Sequence, residues 1–307
     1  MAPEELDQRT AAASDLLRPV LARPAVRCEV VAASLTAVHV ATSDPDVPVL
    51  SVVAAGGARL PGACVLADGT SRRPPHHPHL VDHGDLAASH ILDRLGVADF
   101  VLVGDGTITL DEISVVVRRW WGRPVVRMPG QPSALQAGAA CLAIALDRSG
   151  RTLPEPVVAA VDQLATAVCT GDAMATNRAV QAMVGLGPGL TPAADDVLVG
   201  ALLCWRHLAL AGWPGAAATA GTVSAAVRRR LDRTGGVSAA LLHHATRGCA
   251  MPEAHLVLDA FRVPTTVADA FDALARVGSD TGVSIAYGVD LALAAVLGAP
   301  EPEKVAR

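Results

Sequence analysis

The hydrophobic pattern of this chain changes near residue 134, and this change limits the folds open to it. Residues 26–126 favour strands, because apolar runs at 28–40, 47–54 and 100–103 are separated by small residues and turns. After that point, apolar residues recur at helical spacing between Gly, Pro and capping residues. Strands followed by helices predict an α+β fold, with a β-rich N-terminal half and an all-helical C-terminal half.

We therefore expect a β-rich domain over residues 1–135 and a helical domain over residues 136–307 that carries a glycine-rich loop. One helix is expected inside the first domain, at 86–95, because the apolar spacing there is helical and ends at Gly96. Helical spacing in the second half predicts helices at 134–147, 155–170, 173–184, 192–211, 215–231, 238–247, 252–262, 266–277 and 282–297.

Composition narrows the class of protein. The chain is 51% hydrophobic but only 3% aromatic, so small side chains let helices approach closely. A net charge of −5 without a basic stripe argues against a nucleic-acid partner. The most apolar stretches, 197–205 and 283–299, are either too short to span a membrane or interrupted by Asp290. The acidic N-terminal residues do not resemble a secretory signal. The six cysteines form no CxxC pair, which indicates a reducing compartment, so we expect a cytoplasmic protein. Because the apolar stretches are short or interrupted, we expect no membrane partner.

The most informative motif spans residues 185–200, Gly-Leu-Gly-Pro-Gly-Leu-Thr-Pro-Ala-Ala-Asp-Asp-Val-Leu-Val-Gly. Pro188 and Gly189 favour a tight turn, since proline fixes one dihedral and glycine permits a positive φ at the next. Thr191 and Pro192 then predict the N-cap and first residue of a helix. Free N–H groups at such a helix start can bind an anion or a carbonyl oxygen.

Two acids, Asp195 and Asp196, follow in the first turn, where carboxylates favour the helix dipole but repel a bound anion. A ligand that presents both oxygen acceptors and N–H donors, such as a carbamoyl or amide group, would satisfy both tendencies. A phosphate bridged by Mg²⁺, or a neighbouring arginine, would do the same. The alternative is an ordinary capped helix in which the acids only offset the dipole.

The motif resembles the signature of the uncharacterised-domain family that includes the AllH subunit of oxamate carbamoyltransferase. Two later segments resemble further loops of that family: residues 233–238, Arg-Thr-Gly-Gly-Val-Ser, and residues 278–282, Gly-Ser-Asp-Thr-Gly. The resemblance implies carbamoyl transfer between oxalurate and phosphate, with oxamate and carbamoyl phosphate as the other pair, in allantoin degradation. It also implies other carbamoyltransferase subunits as partners.

Each of the three segments contains a glycine, then a hydroxyl residue, then an apolar helix, so the three helix starts could surround one small ligand. We expect this ligand to be anionic or carbamoyl-bearing, with Mg²⁺ as a candidate cofactor. The predicted catalytic residues are Asp195, Asp196 and Thr191. The predicted substrate-binding residues are Gly187, Gly189, Thr234, Ser238, Ser279, Thr281 and Gly282. The alternative is that these glycines merely end helices.

Some positions depart from the family pattern. Ala193 and Ala194 replace an expected Ser-Gly, Gly235 replaces a threonine, and Ser284 lies near where an aspartate is expected. Each change removes a polar group from the inferred site. A non-catalytic protein that binds small anions or supports assembly is therefore the alternative function.

A histidine cluster at residues 76–83, which includes Asp82, is a second candidate for ligand binding. Imidazole and carboxylate groups bind transition metals, although a solvated loop is the alternative interpretation.

Overall fold

The computed structural model describes residues 7–67, 92, 96–97 and 99–298. The histidine cluster at 76–83 lies outside these residues, as does the predicted helix at 86–95 apart from Leu92. The chain divides into two compact units, Met1–Gly122 and Arg123–Arg307. The division falls after Gly122, before the boundary expected from the sequence after residue 135. No helix among the described residues is long and apolar enough to cross a membrane.

The first unit is a closed barrel in the strand order β1-β5-β4-β3-β2-β6-β7-β8, which confirms the β-rich N-terminal region. The barrel itself was not predicted. Strand β1 pairs with β8 in parallel and closes the barrel, β4 and β5 are also parallel, and the other neighbours are antiparallel. The strands are β1 (Asp7–Ser14), β2 (Val26–Ser34), β3 (Ala37–Ala41), β4 (Val49–Val53), β5 (Ala63–Leu66), β6 (Phe100–Gly104), β7 (Thr107–Leu110) and β8 (Ile113–Trp121).

Side chains alternate between the two faces of each strand, and the inward-facing apolar ones form the core of this unit. Val38 and Val40 belong to its hydrophobic core, whereas His39 between them points to the opposite face of the strand. A short 3₁₀ helix (Asp15–Leu17) and helix α1 (Arg18–Leu21) follow β1. Strand β1 was not predicted, because its run of polar residues and alanines has only one β-branched residue, Thr10, of the kind that marks a strand.

The second unit is helical, as predicted, and each predicted helix is present with its ends shifted by a few residues. The helices are α2 (Pro132–Ser149), α3 (Glu155–Cys169), α4 (Ala173–Met183), α5 (Ala193–Leu210), α6 (Ala216–Arg228), α7 (Gly236–Ala245), α8 (Pro252–Ala260), α9 (Val267–Ala275) and α10 (Thr281–Leu297).

Helices α5 and α10 approach each other at two glycines. A Cβ on Gly200 would lie 1.9 Å from the carbonyl oxygen of Ile285, and one on Gly288 would lie 1.9 Å from that of Val197. Only glycine permits this distance between the two backbones. The close packing brings the beginning of α5 beside the beginning of α10.

Candidate functional site

The loop before α5 differs by one residue from its prediction. Pro192, not Thr191, is the N-cap, with φ −54° and ψ 138°, and the helix begins at Ala193. The carbonyl oxygen of Pro192 accepts the N–H groups of Asp195 and Asp196 at 2.9 and 3.1 Å, which fixes the first turn there. The Thr191 hydroxyl does not cap the helix. It lies 3.0 Å from the Thr281 hydroxyl instead.

The backbone N–H groups of this helix start are mostly occupied. Besides those of Asp195 and Asp196, the N–H of Ala194 donates to the carbonyl oxygen of Leu186 at 3.2 Å. The expectation that free N–H groups of the first turn face a ligand is therefore wrong for these three residues. The physical reason is that the N-cap carbonyl of Pro192 accepts the first bonds of the helix, while the loop folds back and brings the carbonyl of Leu186 to Ala194.

The loop glycines have separate structural causes. Gly187 has φ +121°, and a Cβ there would lie 3.0 Å from the backbone nitrogen of Ala193, so the loop packs tightly against the helix start. Gly189 has φ +95° and open space where its Cβ would be. The residues on either side of Gly189 are exposed, so the tip of this loop faces solvent.

Asp195 is fully buried, and both of its carboxylate oxygens accept hydrogen bonds. Oδ1 accepts the N–H of Gly185 at 2.8 Å, while Oδ2 accepts the hydroxyls of Thr234 and Ser238 at 2.5 and 2.7 Å. These bonds connect α5 to the segment after α4 and to the beginning of α7. The hydroxyls of Thr234 and Ser238, predicted to bind substrate, thus donate to a carboxylate of the chain itself.

Gly185 helps to form the site, and this role was not predicted from the sequence. It was predicted only to end the preceding helix, and it does follow α4 with φ +81°. Its N–H also binds Asp195, and a Cβ would lie 2.5 Å from the carbonyl oxygen of Arg233. The glycine that begins the motif is the only signal for this contact, because the partner from the second motif lies far along the chain.

Asp196 is 1% exposed, and its Oδ1 atom has no hydrogen-bond partner among the described residues. Burial raises the pKa of this carboxyl to about 8, and the charge of Asp195 also raises it, whereas hydrogen bonding by the side chains of Thr191 and Thr281 lowers it. At neutral pH most Asp196 side chains are therefore protonated and uncharged, with an O–H donor available.

The third motif contributes one hydroxyl to this cluster. Thr281, the first residue of α10, contacts Thr191, whereas Ser279 is exposed and donates to Oδ2 of Asp280 at 3.2 Å. Gly282 donates its N–H to the carbonyl oxygen of Val277, and a Cβ there would lie 1.8 Å from the carbonyl oxygen of Leu274. The structure gives Gly282 a packing role between α9 and α10.

The three motifs thus converge on two buried carboxyl groups. Asp195 is held by the second motif, and Asp196 adjoins the Thr191–Thr281 pair. This arrangement places hydroxyl groups and a buried carboxyl group with a raised pKa close to the loop with the exposed tip. Among the residues that the structure describes, no group of three or more His, Cys, Asp or Glu could hold a metal ion, and Mg²⁺ stays a prediction.

Comparison with known protein families gives a match. Residues 183–293 match the family described as "Oxamate carbamoyltransferase subunit AllH". The matched segment runs from the end of α4 into α10 and contains all three motifs. No curated protein matches the chain, and no solved structure does. Over residues 183–293, the chain is similar to the AllH family, which confirms the resemblance carried by its glycine-rich motif.

Proposed function

We propose that this chain is a subunit of a carbamoyl-transferring enzyme and that it binds a carbamoyl-bearing or oxamate-like ligand at the start of α5. The observation that supports this most strongly is Oδ1 of Asp196. It is buried without a partner, beside the hydroxyls of Thr191 and Thr281, inside the segment that matches the AllH family. Buried polar atoms are normally paired, so an unpaired carboxyl oxygen at the start of the family-matched helix supports a ligand position there.

The chemistry of the cluster fits an oxygen-rich ligand. Two carboxylates at one helix start would repel an anion, but the raised pKa leaves Asp196 mostly uncharged at neutral pH. The charge of Asp195 is compensated by three hydrogen-bond donors. An anionic or carbamoyl oxygen can therefore approach Asp196 with little repulsion from that residue.

The proposed reaction joins carbamoyl phosphate and oxamate. The amide nitrogen of oxamate forms a bond to the carbamoyl carbon and loses a proton, while the C–O bond to phosphate breaks and phosphate leaves with the electron pair. The products are oxalurate and phosphate. In this reaction Asp196 and the two threonines bind and orient a ligand oxygen, and partner subunits supply the remaining groups.

Phosphate release from carbamoyl phosphate and oxamate tests this function. The chain alone, the candidate partner subunits alone and the mixture are compared. We expect release that requires the chain in the mixture. If the mixture releases no more phosphate than the partners alone, the chain does not take part in carbamoyl transfer.

A matched pair of variants links this activity to the site. Thr281→Val removes a hydroxyl beside Asp196, and we expect kcat/KM to fall at least about tenfold, which corresponds to about 1.4 kcal/mol. Thr266→Val is the control, because Thr266 is exposed and its hydroxyl donates to the carbonyl oxygen of Val263. Equal losses in both variants would show that the activity does not depend on this site.

A binding protein without catalytic activity is the second candidate function. Its support is the alanine pair Ala193 and Ala194, which offers no hydroxyl at the helix start, together with the occupied N–H groups of the first turn. Tight binding of oxamate with no turnover in any mixture would favour this function.

A further inference from the structure

We propose that the two adjacent aspartates have different roles, and this inference rests on the proposed function. Asp196 contacts the ligand through Oδ1, as a hydrogen-bond donor to a carbonyl oxygen of the ligand. Asp195 is a positioning residue that does not touch the ligand.

The positioning role of Asp195 follows from its hydrogen bonds, because both carboxylate oxygens already accept donors of the chain. Its two oxygens accept three hydrogen bonds, from a backbone N–H and two hydroxyls, with donor–acceptor distances of 2.8, 2.5 and 2.7 Å. The side chain is 0% exposed. A ligand could reach this carboxylate only by displacing the donors that connect α5 to the first and second motifs.

The ligand-binding role of Asp196 follows from a carboxyl oxygen that accepts no hydrogen bond. Oδ1 lacks a partner in the part of the chain that the structure describes, although leaving a buried carboxyl oxygen unpaired costs free energy. Trp205 Nε1 and His207 Nε2 on the same helix are also unpaired, as are Ser224 Oγ and Glu253 Oε2 elsewhere in the helical unit. The first two belong to residues nine and eleven positions further along, roughly 13 and 16 Å from Asp196 along the helix. Asp196 lies at the helix start, next to the glycine loop with the exposed tip.

A donor role requires the protonated carboxyl group. An ionised Asp196 would place a negative oxygen against the ligand oxygen, whereas the protonated form provides an O–H group. The charge that acts on Asp196 is that of Asp195, while Thr191 and Thr281 contribute uncharged hydroxyls. Asp280, beside Thr281, is exposed and paired with Arg151 at 2.9 Å.

Calorimetric titration of the intact chain with oxamate at pH 6 and pH 9 provides the first test. The carboxylate of oxamate is ionised at both values, so its charge does not change. We expect the affinity of the wild-type chain to fall at least about tenfold at pH 9, because Asp196 ionises between the two values. Equal or tighter binding at pH 9, or no binding by the folded chain at pH 6, would overturn the assignment.

Variants of Asp196 provide the second test. Asp196→Asn keeps a donor that does not ionise, so we expect binding within about threefold of wild type at pH 6 and no loss at pH 9. Asp196→Ala should weaken binding at least about tenfold at pH 6. Asp290→Asn is the matched control, since burial also raises the pKa of that carboxyl, and it should keep the wild-type pH dependence. Asp196→Ala that binds like wild type, or Asp196→Asn that keeps the wild-type pH dependence, would contradict the proposal.

These outcomes can be told apart from failure of the proposed function. If phosphate release is absent from every mixture but oxamate binding depends on Asp196 as described, the residue assignment stands and the enzymatic function fails. If phosphate release requires the chain but Asp196→Ala leaves both release and binding unchanged, the function stands and the assignment fails.

Discussion

The two units treat buried polar groups differently. In the barrel, Nδ1 of His39 lies 2.8 Å from the Ser51 hydroxyl, and the buried Asp44 accepts backbone N–H groups and pairs with Arg23 at 2.7 Å. In the helical unit, the corresponding contacts join segments far apart in the sequence and leave Oδ1 of Asp196 unpaired. Paired polar groups stabilise a fold, whereas an unpaired carboxyl oxygen within the family-matched motif calls for a partner such as a ligand. The comparison supports the proposed ligand site in the helical unit.

The largest loss of stability expected from a single substitution comes from Asp195→Ala. The substitution removes three hydrogen bonds and leaves the donors of Gly185, Thr234 and the buried Ser238 without their acceptor. We expect the free energy of unfolding to fall by roughly 3–5 kcal/mol, measured by denaturant titration. A loss below about 1 kcal/mol would mean that Asp195 does not connect the three motifs as described.

The next effect tests the close approach of α5 and α10. Gly200→Ala would place a Cβ 1.9 Å from a backbone carbonyl, so the helices must separate, and we expect a loss of about 3 kcal/mol in the free energy of unfolding. Gly221→Ala in α6 is the matched control, because nothing lies within 4 Å of its Cβ position. The control should stabilise the chain by about 0.5–1 kcal/mol. Equal effects in the two variants would rule out the close packing.

A pH series sharpens the contrast between the aspartates. The pKa of Asp196 is raised from 3.8 to about 8 in the folded chain, so the folded state binds an extra proton between these values. The contribution of Asp196 to the free energy of unfolding is therefore greatest below pH 4. It falls as the pH rises towards 8, by up to about 1.4 kcal/mol per pH unit. Asp196→Asn should lack this loss, so the free energy of unfolding of the variant minus that of wild type should increase with pH. A constant difference from pH 4 to 8 would contradict the raised pKa.

The smallest effect concerns the barrel. Ser51→Ala leaves Nδ1 of the buried His39 without its partner, and we expect a loss of about 1 kcal/mol in the free energy of unfolding with no change in oxamate affinity. A change in affinity measured by calorimetry would show that the polar groups of the barrel also act on the ligand.

Much of the fold could be predicted from the sequence, for local reasons. Helices such as α3 and α4 are marked by apolar spacing and by breaks at Pro154 and Gly171. The closed barrel was not predicted, because strand β1 has few β-branched residues and pairs with β8 about a hundred residues later. Long-range pairing of this kind leaves no local pattern.

The candidate site was predicted in part. The motifs indicated that Thr191, Asp195 and Asp196 belong together, and the structure brings Thr234, Ser238 and Thr281 to the two aspartates. The sequence could not separate the roles of the aspartates, because adjacent residues of a helix start look alike until their partners are known. It also could not show that the loop carbonyls occupy the first-turn N–H groups.

A crystal structure of the chain with oxamate at pH 6 tests the central claim most directly. We expect an oxygen of oxamate about 2.5–3.0 Å from Oδ1 of Asp196, with Asp195 still bonded to Gly185, Thr234 and Ser238. Oxamate bound to Asp195, or bound away from α5 with Oδ1 of Asp196 still unpaired, would contradict the account.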